Sequence, residues 1–172
     1  MSAEELRRSF KPDPVRMLLV GESPPAGGTF FYRANSLLFQ ATRDAFSRVF
    51  GDAVGDGAAA LDFMARCGVY LEDLCLSPVD DLSDVERNAA RKEGIEPLRG
   101  RIEAMAPECV VIVFLGAKRE IRKAADDAGV STIHELPFPL WYRTKYVNGL
   151  AALIRRYDLS PNGPPRYPQP PH

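Results

Sequence analysis

The chain has 172 residues, a net charge of −1, 45% hydrophobic and 26% charged residues, the size and composition of one globular domain. No apolar run is long enough to cross a bilayer as a helix, which excludes a membrane-spanning helix. The near-zero charge gives no global pull toward nucleic acid, although a local basic patch can suffice.

The first residues carry no basic-then-apolar leader, so a cytoplasmic protein without a membrane partner is expected. Residues 2–10 are polar and expected to be helical. Residues 17–20 (Met-Leu-Leu-Val) are apolar throughout, as a buried parallel strand requires. A loop then runs from Gly21 to Tyr32, holding Glu22, Ser23, Gly27, Gly28 and three consecutive aromatics, Phe30, Phe31 and Tyr32. Asn35-Ser36 is a helix start, and 35–50 carries apolar residues at helical spacing. Strand, Gly/Pro loop and helix together read as the first turn of a β-loop-α unit, where α/β proteins bind ligands. A short helix is expected over 58–66, closed by Gly68, and a second strand over 69–74. That strand carries two carboxylates, Glu72 and Asp73, toward its end.

Two helical segments follow, 84–92 and 97–105, with Pro97 at a favoured first-turn position. Their many arginines and glutamates are expected to form a solvated face. The stretch 109–116 is the clearest strand, followed by a helix over 117–128 that Gly129 ends. A short strand over 130–135, a loop from Leu136 to Arg143 and a closing helix over 145–157 complete the domain. The domain is expected to span 1–157, with a Pro-rich tail, 158–172, extended or disordered. Cys67, Cys75 and Cys109 have no C-x-x-C spacing and read as buried free thiols. There is no internal repeat, no dinucleotide-binding glycine motif and no P-loop. Four apolar strands alternating with helices predict an α/β fold: a four-stranded parallel sheet between two helical layers.

Several stretches in this order resemble the uracil-DNA glycosylase superfamily. Gly21-Glu22-Ser23-Pro24-Pro25 is similar to the Gly-Glu-Ala-Pro-Gly first motif of its iron–sulfur members, and Thr29 to Leu38 falls on the stretch that follows it. Val69-Tyr70-Leu71-Glu72-Asp73 resembles the family strand Val-Tyr-Ile-Thr-Asn, and Leu136-Pro137-Phe138-Pro139-Leu140 the second motif, His-Pro-Ser-Pro-Leu. The resemblance covers about residues 15–157. It implies a three-layer α/β/α domain that holds a base flipped out of DNA at the strand ends. It further implies that Gly21 and Phe30 contact that base, with Phe30 stacking on it, and that Arg33, Leu140, Trp141, Arg143 and Lys145 meet DNA. A monomer with no cofactor is expected, since the cluster cysteines are absent.

The chain also departs from the family pattern. Ser23 stands where many members carry the acidic or amide residue that holds water. Leu136 replaces the histidine that stabilises the leaving base, with His134 two residues earlier, and Asp73 replaces the asparagine that reads uracil. Glu22 is then the one carboxylate in the first loop able to activate water, unless it merely accepts backbone hydrogen bonds that hold the loop. Asp73, if ionised, only accepts hydrogen bonds. It suits a base edge with two donors, such as guanine or protonated cytosine, unless it simply caps the next loop. Three aromatics in one extended segment cannot all face inward, so at least one of Phe30, Phe31 and Tyr32 is expected at a pocket or at solvent. Trp141 is either an apolar wedge for DNA or packed on the last helix. His134 either assists the leaving group or is structural. Two functions stand beside each other: hydrolysis of the N-glycosidic bond of a flipped base, uracil or another, with Glu22, Ser23 and His134 as the catalytic set, or binding of a nucleobase, nucleotide or damaged DNA without that chemistry. Hydrolysis of a free nucleoside is a third.

Overall fold

A computed structural model describes residues 1–161 of the chain. Four strands, Met17–Gly21 (β1), Val69–Asp73 (β2), Cys109–Ile112 (β3) and Ile133–Glu135 (β4), form one sheet in the order β2-β1-β3-β4, with every pairing parallel. The helices are Ala3–Ser9 (α1), Leu37–Phe50 (α2), Gly57–Arg66 (α3), Asp84–Met105 (α4), Lys118–Asp127 (α5) and Pro139–Arg156 (α6). Pairs α2–α6 and α4–α5 pack together and flank the sheet, consistent with three layers. Every residue of β1, β2 and β3 is buried, whereas the edge strand β4 is partly exposed. The unbroken apolar runs of β1 and β3 follow from burial on both faces. The chain leaves β1 outward to β2 and then crosses over to β3 on the other side. Such a reversal opens a crevice at the carboxyl ends of β1 and β3.

Local chemistry sets the element boundaries. Ser36 caps α2, its Oγ accepting from the Phe39 N–H at 3.1 Å, which is the helix start that Asn35-Ser36 signals. Gly129 follows α5 with φ +83°, a conformation that favours glycine. The three cysteines are free and buried, as expected. Burial pushes the Cys67 thiol up to about 12 and those of Cys75 and Cys109 to about 11, so all three stay protonated at neutral pH.

Several sequence expectations are corrected. The segments 84–92 and 97–105 are one helix, and Pro97 lies inside it rather than in a first turn. Gly94 lets this helix approach the end of β2 so closely that a Cβ there would lie 2.6 Å from the Leu74 carbonyl oxygen. Phe30, Phe31 and Tyr32 are all buried, because Phe31–Arg33 is a 3-10 turn and not an extended segment, so side-chain alternation does not apply. Helix α6 begins at Pro139, six residues before position 145, although Tyr142 (φ −126°, ψ 37°) breaks its first turn from its body. The third strand ends at Ile112 and the fourth begins at Ile133, both shorter than the apolar patterns. Of the tail expected over 158–172, residues 162–172 lie outside the described residues.

Candidate functional site

The crevice at the strand ends is a real cleft of about 290 Å³. Gly21, Glu22 and Ser23 form its floor at the end of β1, and Asp73 enters from the end of β2. Phe30, Phe31, Phe114 and Phe138 give it aromatic walls, with Phe114 and Phe138 edge to face at 5.8 Å between centroids. Gly21 is needed there, since a Cβ on it would fall 2.7 Å from Asp73 Oδ1. Its lack of a side chain leaves room for the Asp73 carboxylate.

Glu22 is buried and held by two arginines of α4. Arg87 Nε donates to Oε1 at 2.8 Å and Arg87 Nη2 to Oε2, while Arg91 Nε donates to Oε1 at 2.6 Å. Burial opposes the charge, but hydrogen bonds from Arg87 and Arg91 win and hold the carboxyl below its ordinary value. A carboxylate so saturated is a weak base, which removes the main chemical argument for Glu22 as a water activator. The alternative in which it accepts backbone N–H bonds is not what occurs either: its partners are side chains. Ser23 Oγ accepts from the Val79 N–H at 3.3 Å, and Asp80 Oδ2 accepts from the Ala26 N–H at 3.0 Å, so the loop after β2 closes over the first loop.

Asp73 is buried with a different partner. Arg7 of α1 donates from Nη2 to Asp73 Oδ2 at 2.8 Å and from Nη1 to Glu72 Oε2 at 3.3 Å. The Arg7 side chain is 2% exposed and its Cζ lies 5.5 Å from the centroid of the Phe30 ring. Arg101 of α4 donates to Glu72 at 3.2 Å and to the Asp73 carbonyl at 2.6 Å. Burial pushes the carboxyls of Asp73 and Glu72 up, against the pull of Arg7 and Arg101. Arg7 Nε lies 3.4 Å from Glu4 Oε2 without forming a hydrogen bond.

No protein-family model matches the chain, and no curated protein matches it in sequence.

Of the residues singled out in the sequence, Gly21, Glu22, Ser23, Phe30 and Asp73 meet at the cleft. His134 does not. Its Nε2 pairs with the Tyr157 hydroxyl at 2.8 Å, and burial together with Arg156 lowers its pKa, so it remains a neutral structural group outside the cleft lining. Leu136, two residues further on, is buried against Gly149. Arg33 donates to the Gly28 carbonyl at 3.0 Å and stiffens the first loop. Arg143 pairs with Asp44 of α2 at 2.6 Å, and Lys145 lies 5.6 Å from the Tyr142 ring centroid. Trp141 does not pack on the last helix: it is 84% exposed, flanked by exposed Leu140 and Tyr142, three residues beyond the cleft wall Phe138.

The residues that sequence reading missed are arginines. Arg7 gave no signal, sitting in a short polar helix far from its partners. Arg87, Arg91 and Arg101 belong to α4, whose charges were expected to face solvent; these three turn inward to Glu22, Glu72 and the end of β2. A signal did exist. Arg87, Arg91, Gly94, Leu98 and Arg101 recur at helical spacing on one face, with a glycine and a leucine among them, as on a buried stripe.

Proposed function

We propose that the cleft binds a nucleobase presented from DNA, and that the protein is a uracil-DNA glycosylase-like base-recognition protein whose hydrolytic machinery is altered. The observation that carries this reading is the joint placement of Phe30 and Asp73 in one cleft at the sheet's switch point, with a single arginine contacting both. An aromatic wall stacks a base, worth about 1–3 kcal/mol per base. A buried carboxylate selects the edge that offers it donors and rejects one that offers oxygen, because an unpaired buried group costs about 1–3 kcal/mol. Guanine presents two adjacent donors, N1–H and the exocyclic amine; uracil presents O4 and N3–H.

Two further features support DNA over a free nucleotide. Glu22, Asp73 and Asp80 line the cleft against Arg87, a balance that opposes a phosphate inside it while leaving a neutral base unaffected. Leu140, Trp141 and Tyr142 stand exposed next to Phe138, with Arg143 and Lys145 following. Apolar side chains of this kind unstack a base step when they enter a minor groove. Hydrolysis is the second reading, favoured by the position of Glu22 on the cleft floor, and it requires Glu22 to leave Arg87 and Arg91.

The test is a panel of single-stranded and duplex oligonucleotides carrying an unpaired guanine, xanthine, hypoxanthine, uracil or a methylated base. Anisotropy measures binding, and alkali treatment reveals abasic sites. Salt-sensitive binding that prefers guanine-like edges and is weakened by Phe30→Ala, without strand cleavage, is expected. Alkali-sensitive sites that vanish in Glu22→Gln would establish hydrolysis instead, and equal binding of all oligonucleotides by wild type and Phe30→Ala would overturn both readings.

A further inference from the structure

The N-terminal helix is tied to the cleft by side chains, not by the sheet. Phe10, just past α1, stacks on Tyr32 at 6.0 Å between centroids. The Tyr32 hydroxyl exchanges hydrogen bonds with the Leu71 backbone, accepting from its N–H at 2.7 Å and donating to its carbonyl at 2.9 Å. Arg7 extends from this docked helix into the protein and contacts Asp73, Glu72 and the Phe30 ring together. Arg101 already serves Glu72 and the Asp73 carbonyl, but it does not donate to the Asp73 carboxylate.

The geometry points to Arg7 as the positioning residue that sets which base edge the cleft accepts, by donating to Asp73 Oδ2 beside Phe30 and so favouring the acceptor-only carboxylate form. This rests on the nucleobase reading of the cleft. The groups facing Asp73 are Arg7 from α1, Arg101 from α4, Glu72 beside it on β2 and Glu22 at the end of β1. With Arg7 gone, burial and the two neighbouring acids favour the protonated carboxyl against Arg101 alone. A protonated carboxyl has one donor and one acceptor, the pattern of an asparagine side chain. Removing a residue of α1 therefore converts the edge preference from two donors to donor plus acceptor, without touching a cleft-lining residue.

The experiment compares wild type, Arg7→Met, Arg7→Lys, Asp73→Asn and the Arg7→Met/Asp73→Asn double variant as full-length proteins, with circular dichroism to verify folding. Calorimetry measures deoxyguanosine and deoxyuridine binding from pH 5 to 8, and carbon-13 NMR follows the Asp73 carboxyl without ligand. Wild type is expected to prefer deoxyguanosine, more strongly as pH rises through the Asp73 titration. In Arg7→Met the preference falls by roughly tenfold or more, approaching Asp73→Asn, and Asp73 titrates at higher pH. Arg7→Lys retains most of the preference. The double variant, which removes the stranded carboxylate, keeps the selectivity of Asp73→Asn. Should Arg7→Met unfold, Arg7→Lys and the double variant carry the comparison. Identical Asp73 titration or identical selectivity with and without Arg7 overturns the role of Arg7. Binding of neither nucleoside by wild type, with the Asp73 titration still shifted, overturns the nucleobase reading and the selectivity role with it.

Discussion

The ends of β1 and β2 each present a buried carboxylate to the same cleft, yet the two are built for opposite behaviour. Glu22 at the end of β1 receives Arg87 and Arg91 from the same helix, and its pKa is lowered. Asp73 at the end of β2 has its carboxylate held by Arg7 from a different helix, and its pKa is raised because burial dominates. A carboxylate with both oxygens occupied is a fixture that ties α4 to the first loop. One held by Arg7 through Oδ2 has its other oxygen packed over Gly21, where a Cβ would lie 2.7 Å from it. Deeper burial of Asp73 and the greater number of arginine partners on Glu22 together separate the two carboxyls.

The largest effect is expected at the Asp73 end. Arg7→Met leaves Glu72 and Asp73 buried with Arg101 alone, a loss of about 3–5 kcal/mol of stability, readable as a shifted urea midpoint. Asp73→Asn on top of it recovers part of that loss, and a double-mutant cycle gives the coupling. Next is ligand binding. Phe30→Ala weakens base binding by about 1–3 kcal/mol through lost stacking, measured by calorimetry, with the Asp73 titration still in place. At the Glu22 end, Glu22→Gln costs about 1–2 kcal/mol, since Arg87 and Arg91 retain some access to water to offset the lost pairs.

The pH dependence of stability separates the two ends in sign. Glu22 has its native pKa below the ordinary 4.5, so its contribution is present above that value and fades as pH falls through the native pKa. Asp73 and Glu72, raised above their ordinary values of 3.8 and 4.5, bind protons more tightly when folded; the stability this gives is present at low pH and is lost as pH rises through their native pKa values. Urea midpoints from pH 3 to 6 should therefore decline less steeply on the acid side in Glu22→Gln. In Asp73→Asn the decline should steepen. Equal profiles in the two variants would erase the distinction between the strand ends. The smallest expected effect is at Trp141: Trp141→Ala changes stability by no more than about 0.5 kcal/mol at so exposed a position, while weakening binding to duplex DNA more than to single strands.

The strands and most helices were legible because burial on both faces of a parallel sheet leaves continuous apolar runs, as in β1 and β3. Boundaries failed where local pattern and tertiary context disagreed. Pro97 signals a helix start, but packing of α4 on α5 carries the helix through it. The aromatic triplet reads as extended until a 3-10 turn buries all three rings. The site was legible in its floor and walls, since Gly21, Glu22, Phe30 and Asp73 sit at strand ends or in the first loop. Its charges were not, because a charged side chain on a helix looks the same in sequence whether it faces water or a buried acid. His134 misled for the matching reason: a titratable residue on a strand looks catalytic until Tyr157 is found beside it.

By itself, then, the order of residues determined the alternation of strands and helices, the glycine that opens the cleft floor and the presence of acids and aromatics at the strand ends. Those properties depend on periodicity and backbone chemistry, which are local. Only the tertiary structure decided what each acid does, because its partners lie 65 or 66 residues away, Arg87 from Glu22 and Arg7 from Asp73. An ionisable group takes its character from the charges and solvent within a few ångströms of it, and folding alone brings those together.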